Sequence, residues 1–141
     1  MAELPPLCPL EADLRTSGQL SVEDIKALAE EGVKTLIFNR PDQESEDQPN
    51  TAELKQTAEA LGMQWYHQPV ISGQVTQEQG AEFGRIYAQA PKPVVAFCRS
   101  GARCGCLWAL SQKGQKSGEE LVTQLKSAGF DLPDFFKRLT S

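Results

Sequence analysis

The sequence predicts an α/β fold: a central, mainly parallel sheet of about four to five strands, flanked by helices. Three observations carry this. From Ser21 onward, segments with helical apolar spacing alternate with short β-branched or apolar runs, the order that a parallel sheet with crossover helices requires. The run Pro93-Val94-Val95-Ala96-Phe97 is apolar at every position, as a strand covered on both faces must be. The chain has 141 residues, 40% of them hydrophobic and 23% charged, which suits one ordinary core and excludes collagen-like, disordered and disulfide-scaffold classes. One domain over residues 1–141 is expected.

Each element follows from local chemistry. A first helix opens at Ser21, an N-cap with Asp24 three residues on, turns Val22, Ile25, Leu28 and Ala29 to one face, and stops at Gly32. Val33–Phe38 is a strand, ended by Asn39-Arg40-Pro41 because proline cannot continue a central ladder. Asp42 to Asn50 holds four acids and no periodicity and reads as a solvated loop. A second helix from about Thr51 spaces Leu54, Ala58 and Leu61 and ends at Gly62, and Met63–His67 forms the next strand before Pro69. A third helix starts near Thr76 with a capping box to Gln79 and presents Phe83, Ile86, Tyr87 and Ala90. Gly80 and Gly84 are expected to weaken it. Pro93–Phe97 is the central strand. Cys104 to Gln112 is a helix apolar nearly all round, hence the most buried one. A last helix from Ser117, boxed by Glu120, packs Leu121, Val122, Leu125 and Ala128. Phe130 to Leu139 closes the chain as a short turn or helix. The Pro-rich start, which contains Cys8, is expected to be mobile.

Charge narrows the partners. Fourteen basic against nineteen acidic residues give a net charge of −5 and a pI near 4.9, which disfavours a nucleic-acid backbone as partner. No apolar run approaches the roughly 18 residues of a spanning helix, and the opening residues lack a secretory layout, so no membrane partner and a cytoplasmic location are expected. Four cysteines, Cys8, Cys98, Cys104 and Cys106, then read as thiols that pack or react, not as structural bridges.

The chemistry should lie in Cys98-Arg99-Ser100-Gly101-Ala102-Arg103, between a buried strand and a buried helix, at the carboxyl end of a strand where open α/β sheets place their ligands. Such a turn aims successive backbone N–H groups at one point in front of a helix N-terminus and makes an anion cradle. Gly101 lets the chain bend. A thiolate in that cradle, at the mouth of a pocket, would be nucleophilic at neutral pH, because guanidinium charge and the helix N-terminus lower the cysteine pKa. Arg103 is the clamp for an oxyanion, its planar fork donating two parallel hydrogen bonds, and Arg99 assists from the rim. Cys104 either packs or resolves an oxidised Cys98, with packing favoured, and Cys106 packs. A metal site from Cys98, Cys104, Cys106 and His67 is disfavoured, since no C-x-x-C pair exists and residues two apart on a helix face apart. His67 reads as a satisfied polar residue at a strand end. No nucleotide-binding glycine loop, serine elbow or zinc-protease helix is present, and no cofactor is expected.

Ser17-Gly18-Gln19-Leu20, Val33 through Pro41, Ala60-Leu61-Gly62, His67-Gln68-Pro69-Val70 and Phe97 through Arg103 together resemble the phosphatase-like domain of the bacterial beta-lactamase-hydrolase-like proteins. The resemblance covers about residues 13–112, with a helical extension over 117–139. It implies a tyrosine/dual-specificity phosphatase-like fold with Cys98 as nucleophile and Arg103 as its anion ligand, supported by Arg99, Ser100, Gly101, Ala102 and Cys104. Relatives of this kind are sometimes fused to, or encoded beside, persulfide-handling enzymes, which implies such an enzyme as a partner.

Three departures from cysteine phosphatases stand out. Phe97 replaces the usual histidine before the nucleophile. Arg103 falls one residue early, as in the C-x-x-G-x-R loop of rhodanese sulfurtransferases. Val70 to Thr76 contains no acid to protonate a leaving group; Glu78 or Glu82 could serve only if the loop folded in. A positioned acid contributes about 10²–10⁴-fold to ester cleavage, whereas sulfite or a low-pKa thiolate leaves unaided. The expected activity is therefore sulfane-sulfur transfer through a Cys98 persulfide, on a small anionic substrate such as a persulfide or thiosulfate. The alternatives are phosphoester hydrolysis through a Cys98 phosphoenzyme and a non-catalytic anion-binding or redox-sensing module.

Overall fold

The computed structural model describes residues 7–140, and at the centre of its sheet lies the strand that delivers the chain to Cys98. Five strands are ordered β1-β2-β5-β3-β4. Here β1 is Cys8–Glu11, β2 Leu14–Ser17, β3 Thr35–Phe38, β4 Gln64–His67 and β5 Val94–Phe97. All neighbours are parallel except β1 and β2, which form an antiparallel hairpin at one edge. The predicted strands 33–38, 63–67 and 93–97 thus form one residue or two shorter than expected at their starts.

Alternation along the strands divides the core. Leu36, Phe38, Val95 and Phe97 face a layer with Ile25, Leu28, Leu54 and Ala58 from α1 (Val22–Glu30) and α2 (Thr51–Ala60). Ile37, Val94 and Ala96 face the opposite layer, with Phe83 of α3 (Gln77–Gln89) and Leu107 and Trp108 of α4 (Ala102–Ser111). Helices α5 (Gly118–Ser127) and α6 (Pro133–Thr140) close that layer with Leu121, Leu125, Phe136 and Leu139. The capping boxes Ser21/Asp24, Thr76/Gln79 and Ser117/Glu120 all form, each with reciprocal side-chain and backbone hydrogen bonds.

Two expectations are corrected, and the glycines of α3 gain a packing reason beside their cost in helix propensity. Cys8 is not in a loose start but in β1, half-buried and paired with Thr16. Gly80 of α3 is required by packing, since a Cβ there would lie 2.4 Å from Cβ of Leu110, and one on Gly84 would press on Cβ of Ser111 at 3.1 Å, so α3 lies directly on α4. Finally, α4 begins at Ala102, two residues before the expected Cys104, because Gly101, with φ 91°, turns the chain into the helix as its N-cap. Ala102 and Arg103 are therefore first-turn helix residues.

Candidate active site

The hairpin strand β2 and the central β5 end side by side, and the Cys98 loop is tied to the end of β2 before it enters α4. Cys98 N donates to Ser17 O at 3.3 Å, and Gln19 N donates to Arg99 O at 3.2 Å. A Cβ on Gly18 would come within 3.0 Å of Arg99 O, so the two backbones touch. The left-handed turn at Gly101 then swings the amides back over the sulfur, and Gly101 N donates to Cys98 Sγ at 3.1 Å. The Cys104 thiol and the backbone N–H groups of Ser100, Cys104 and Arg103 also favour the charged sulfur. These contacts, with Cys104 the largest, outweigh the burial that opposes charge and hold the Cys98 pKa at about 5, from an ordinary 9.0. Burial pushes the Cys104 thiol well up and that of Cys106 up to about 12, so both remain protonated.

The expected cradle is thus present, but the sulfur does not sit at a pocket mouth. Cys98 is 0% exposed, because the thiolate is itself the anion that the collapsed loop wraps. Of the remaining loop residues, Arg99 and Ser100 are exposed at the rim, and Ser100 Oγ accepts from Ala102 N at 3.3 Å.

Arg103 is buried, its side chain 8% exposed, and it does not point into solvent. Nη1 donates to Glu44 Oε2 at 2.7 Å and to Val70 O at 3.0 Å, and Nη2 donates to Glu44 Oε1 at 2.9 Å. Both Nη1 protons and one Nη2 proton are used, leaving the Nε–H and the second Nη2–H on one edge of the guanidinium without an acceptor among the described residues. Glu44 also takes Nε of Arg40 at 2.8 Å. Gripped by Arg103 first and Arg40 second, its carboxyl pKa falls to about 2. The segment 42–50 is a loop, as expected, but it is not merely solvated: it sends Glu44 into the site. Sequence reasoning missed this residue, because one acid among four in a loop without periodicity carries no signal of its own.

Two cavities meet at Ser72, Ala102 and Arg103. The polar one, about 520 Å³, is lined also by Arg40, Glu44, Arg99 and Ser100. The other, about 460 Å³, runs under Val75, Leu132 and Phe135 toward α6 and is lined also by Asp131 and Asp134. Glu78 stands in the first turn of α3 and Glu82 pairs with Arg85 at 2.6 Å, and neither lines these cavities. His67 stacks on Phe38 with ring centroids 5.1 Å apart, and its Nε2 lies 2.8 Å from Arg40 O, well engaged at its strand end. Phe97, in the place of the usual histidine, stacks on the other side of Phe38 at 4.6 Å. Among the described residues no cluster of three or more His, Cys, Asp or Glu side chains is placed to hold a metal, and no helix is long and apolar enough to cross a membrane.

Comparison with known proteins agrees with this geometry. A solved structure of a phosphatase candidate from Neisseria meningitidis Z2491 is 36% identical and superposes with a TM-score of 0.85 over 94% of each chain. The catalytic core of a PP-IP phosphatase from S. cerevisiae, solved with citrate, shares the fold at 15% identity, with a TM-score of 0.73 over 100% of this chain and 89% of that one. Here the expected tyrosine/dual-specificity phosphatase-like architecture is the observed one. A beta-lactamase hydrolase-like protein of Agrobacterium fabrum is 32% identical over 121 residues, 84% of this chain and 28% of that protein, and one of Xylella fastidiosa is 31% identical over the same shares. The chain thus spans little more than a quarter of these relatives. The family described as beta-lactamase hydrolase-like protein, phosphatase-like domain, matches residues 7–115, and the chain belongs to it.

Proposed function

We propose that this domain is a cysteine-dependent phosphatase of small phosphate monoesters whose leaving groups depart without protonation. One observation carries the reading: a thiolate held by the Gly101 N–H sits one turn before an arginine of the same loop and helix start, and that guanidinium keeps one edge open for an oxyanion. The loop must lift off the sulfur before attack, since the thiolate occupies the cradle that the phosphoryl oxygens would take. Cys98 Sγ then attacks phosphorus. An S–P bond forms, the P–O ester bond breaks, and the leaving oxygen departs with the electron pair and takes its proton from water. Water next attacks the phosphocysteine, releasing inorganic phosphate and restoring the thiolate.

The substrate limit follows from the acids. Glu44, the one carboxylate lining the polar cavity, is held ionised and cannot donate a proton. With no proton donor among the carboxylates of the polar cavity, and Asp131 and Asp134 lining only the adjoining one, the rate should fall steeply as the leaving group becomes more basic. A series of aryl phosphates tests this: kcat/KM should drop across the series by far more than in an enzyme with a positioned acid, and Cys98→Ser should abolish turnover. A flat dependence on leaving group refutes the reading.

A second reading, sulfane-sulfur transfer, is favoured by the same lack of an acid together with the shortened spacing from Cys98 to Arg103. The thiolate would attack the outer sulfur of thiosulfate, breaking its S–S bond and expelling sulfite, and the persulfide on Cys98 would pass to an acceptor thiol. Mass spectrometry of the intact protein separates the two. A phosphoryl adduct on Cys98 after an aryl phosphate supports the first, and a single added sulfur after thiosulfate, with no phosphoryl adduct, supports the second. If neither adduct forms, the remaining reading is an anion-binding or redox module.

A further inference from the structure

Arg40 closes β3 and carries a charge that nothing in the reaction uses directly, yet its side chain is only 4% exposed. Each nitrogen of its guanidinium has its own acceptor. Nε donates to Glu44 Oε1 at 2.8 Å, Nη1 to Gln19 Oε1 at 2.9 Å and Nη2 to Ser45 Oγ at 2.8 Å. Two of these acceptors are themselves supports of the Cys98 loop. Glu44 Oε1 is shared with Arg103 Nη2, and Gln19 holds the carbonyl of Arg99 through its backbone N–H. Arg40 therefore fixes both ends of the loop without contact to the sulfur. A buried cation is retained at a desolvation cost that a packed apolar residue would avoid.

We infer that Arg40 is a positioning residue for anion capture at Cys98, acting through Glu44 on the open edge of Arg103 and through Gln19 on the Arg99 end of the loop. This rests on the Cys98–Arg103 anion site of the proposed function, and not on which group is transferred. The geometry behind it is directional. Glu44 can grip Arg103 end-on, with the Nε edge left for an anion, only if the carboxylate is held in the guanidinium plane. Arg40 Nε holds its Oε1 there. Without Arg40, the carboxylate keeps its affinity for Arg103 but is free to swing onto the Nε edge and compete with the ligand.

The test uses alkylation of Cys98, so it does not depend on turnover. Iodoacetate carries a carboxylate for Arg103, whereas iodoacetamide is neutral, and the ratio of their rates at Cys98 reads the oriented anchor. In the native protein the ratio should favour iodoacetate by about tenfold after correction for a free-cysteine standard. Arg40→Gln should lower the ratio at least about fivefold, Arg40→Lys should restore part of it, and Arg40→Gln added to Glu44→Gln should lower it by clearly less, about twofold, because only the Gln19 arm is then left to lose. Should Arg40→Gln fail to fold, Gln19→Ala removes one arm of the same network and should lower the ratio by about twofold or more. A folded Arg40→Gln with the native ratio overturns the inference, as does a loss of equal size with and without Glu44. So does a native ratio near one. Failure to hydrolyse phosphate esters, with the ratio behaving as stated, removes the proposed reaction and leaves this inference standing.

Discussion

Glu44 and Arg103, 59 residues apart in the chain, form a two-point ion pair with Nη1–Oε2 at 2.7 Å and Nη2–Oε1 at 2.9 Å, at the entrance to a buried thiolate. The pair joins a loop on the α1–α2 side of the sheet to the first turn of α4 on the other. With Glu44 28% exposed, solvent discounts its direct contribution to stability, and its weight falls on orientation. Replacing it with glutamine keeps the shape but removes the charge that fixes the fork. Glu44→Gln is expected to weaken competitive inhibition by inorganic phosphate about tenfold, on the scale of one charge-assisted hydrogen bond of roughly 1.5–3 kcal/mol. A folded variant with an unchanged inhibition constant would show that the guanidinium is oriented by Val70 alone.

The Cys98 sulfur should titrate in the range of a carboxylic acid. The rate of its alkylation by iodoacetamide should rise with pH about a midpoint near 5 and be flat above about 7, instead of rising toward the ordinary 9.0. Since the Cys104 thiol is the largest contributor, Cys104→Ala should move the midpoint upward, while Cys104→Ser, which still donates, should hold it low. Mass mapping of the labelled peptide confirms the site. An unmoved midpoint in Cys104→Ala assigns the stabilisation to the backbone amides instead.

Helix α3 offers a prediction about packing that leaves the chemistry untouched. Gly80→Val forces branched carbons into the space of Leu110 Cβ and should destabilise the fold by about 1–3 kcal/mol in urea unfolding. The midpoint of Cys98 alkylation should stay where it is, because the contact lies at the far end of α4 from the loop. A change in that midpoint would mean that the α3–α4 contact is transmitted to the site.

What the sequence made legible was chemistry within a few residues. The three capping boxes depend on a spacing of three and β5 on its own apolar run, and these stand where they were expected, whereas the Cys98 turn ends at Gly101 and passes Ala102 and Arg103 to α4. Relationships across the fold were not legible. β1 and β2 are four residues each, interrupted by Pro9 and Arg15, and β2 is a strand mainly because β5 pairs with it. Glu44 looked like one acid among several in a polar loop until tertiary folding brought Arg103 to it. The reason for Gly80 lies in Leu110, 30 residues on, whose Cβ leaves no room for a side chain there. The burial of Cys98 belongs to the same class, since local sequence specifies the ring of amides but not that the ring closes on the sulfur.

The low pKa of Cys98 also links stability to pH, with a sign that can be worked out. The folded thiol ionises near 5, and the unfolded one near the ordinary cysteine value of roughly 8.5. Between these values the folded state is deprotonated while the unfolded state still binds a proton, so the unfolded state holds the extra proton and stability rises with pH. The contribution is fully present above the unfolded pKa and is lost as pH falls through about 5. Its limiting slope is about 1.4 kcal/mol per pH unit for one proton. Above that window Cys104 and Cys106 act in the opposite sense, since their folded thiols resist ionisation that the unfolded chain allows. The stability of the native protein should therefore peak in the region of pH 8–9 as far as its thiols are concerned. Cys98→Ser removes only the rising limb. Urea unfolding of the two proteins at pH 6 and pH 8 should give a native-minus-variant difference that grows with pH, and a difference that is constant would place the Cys98 proton on the folded sulfur and remove the thiolate from the site.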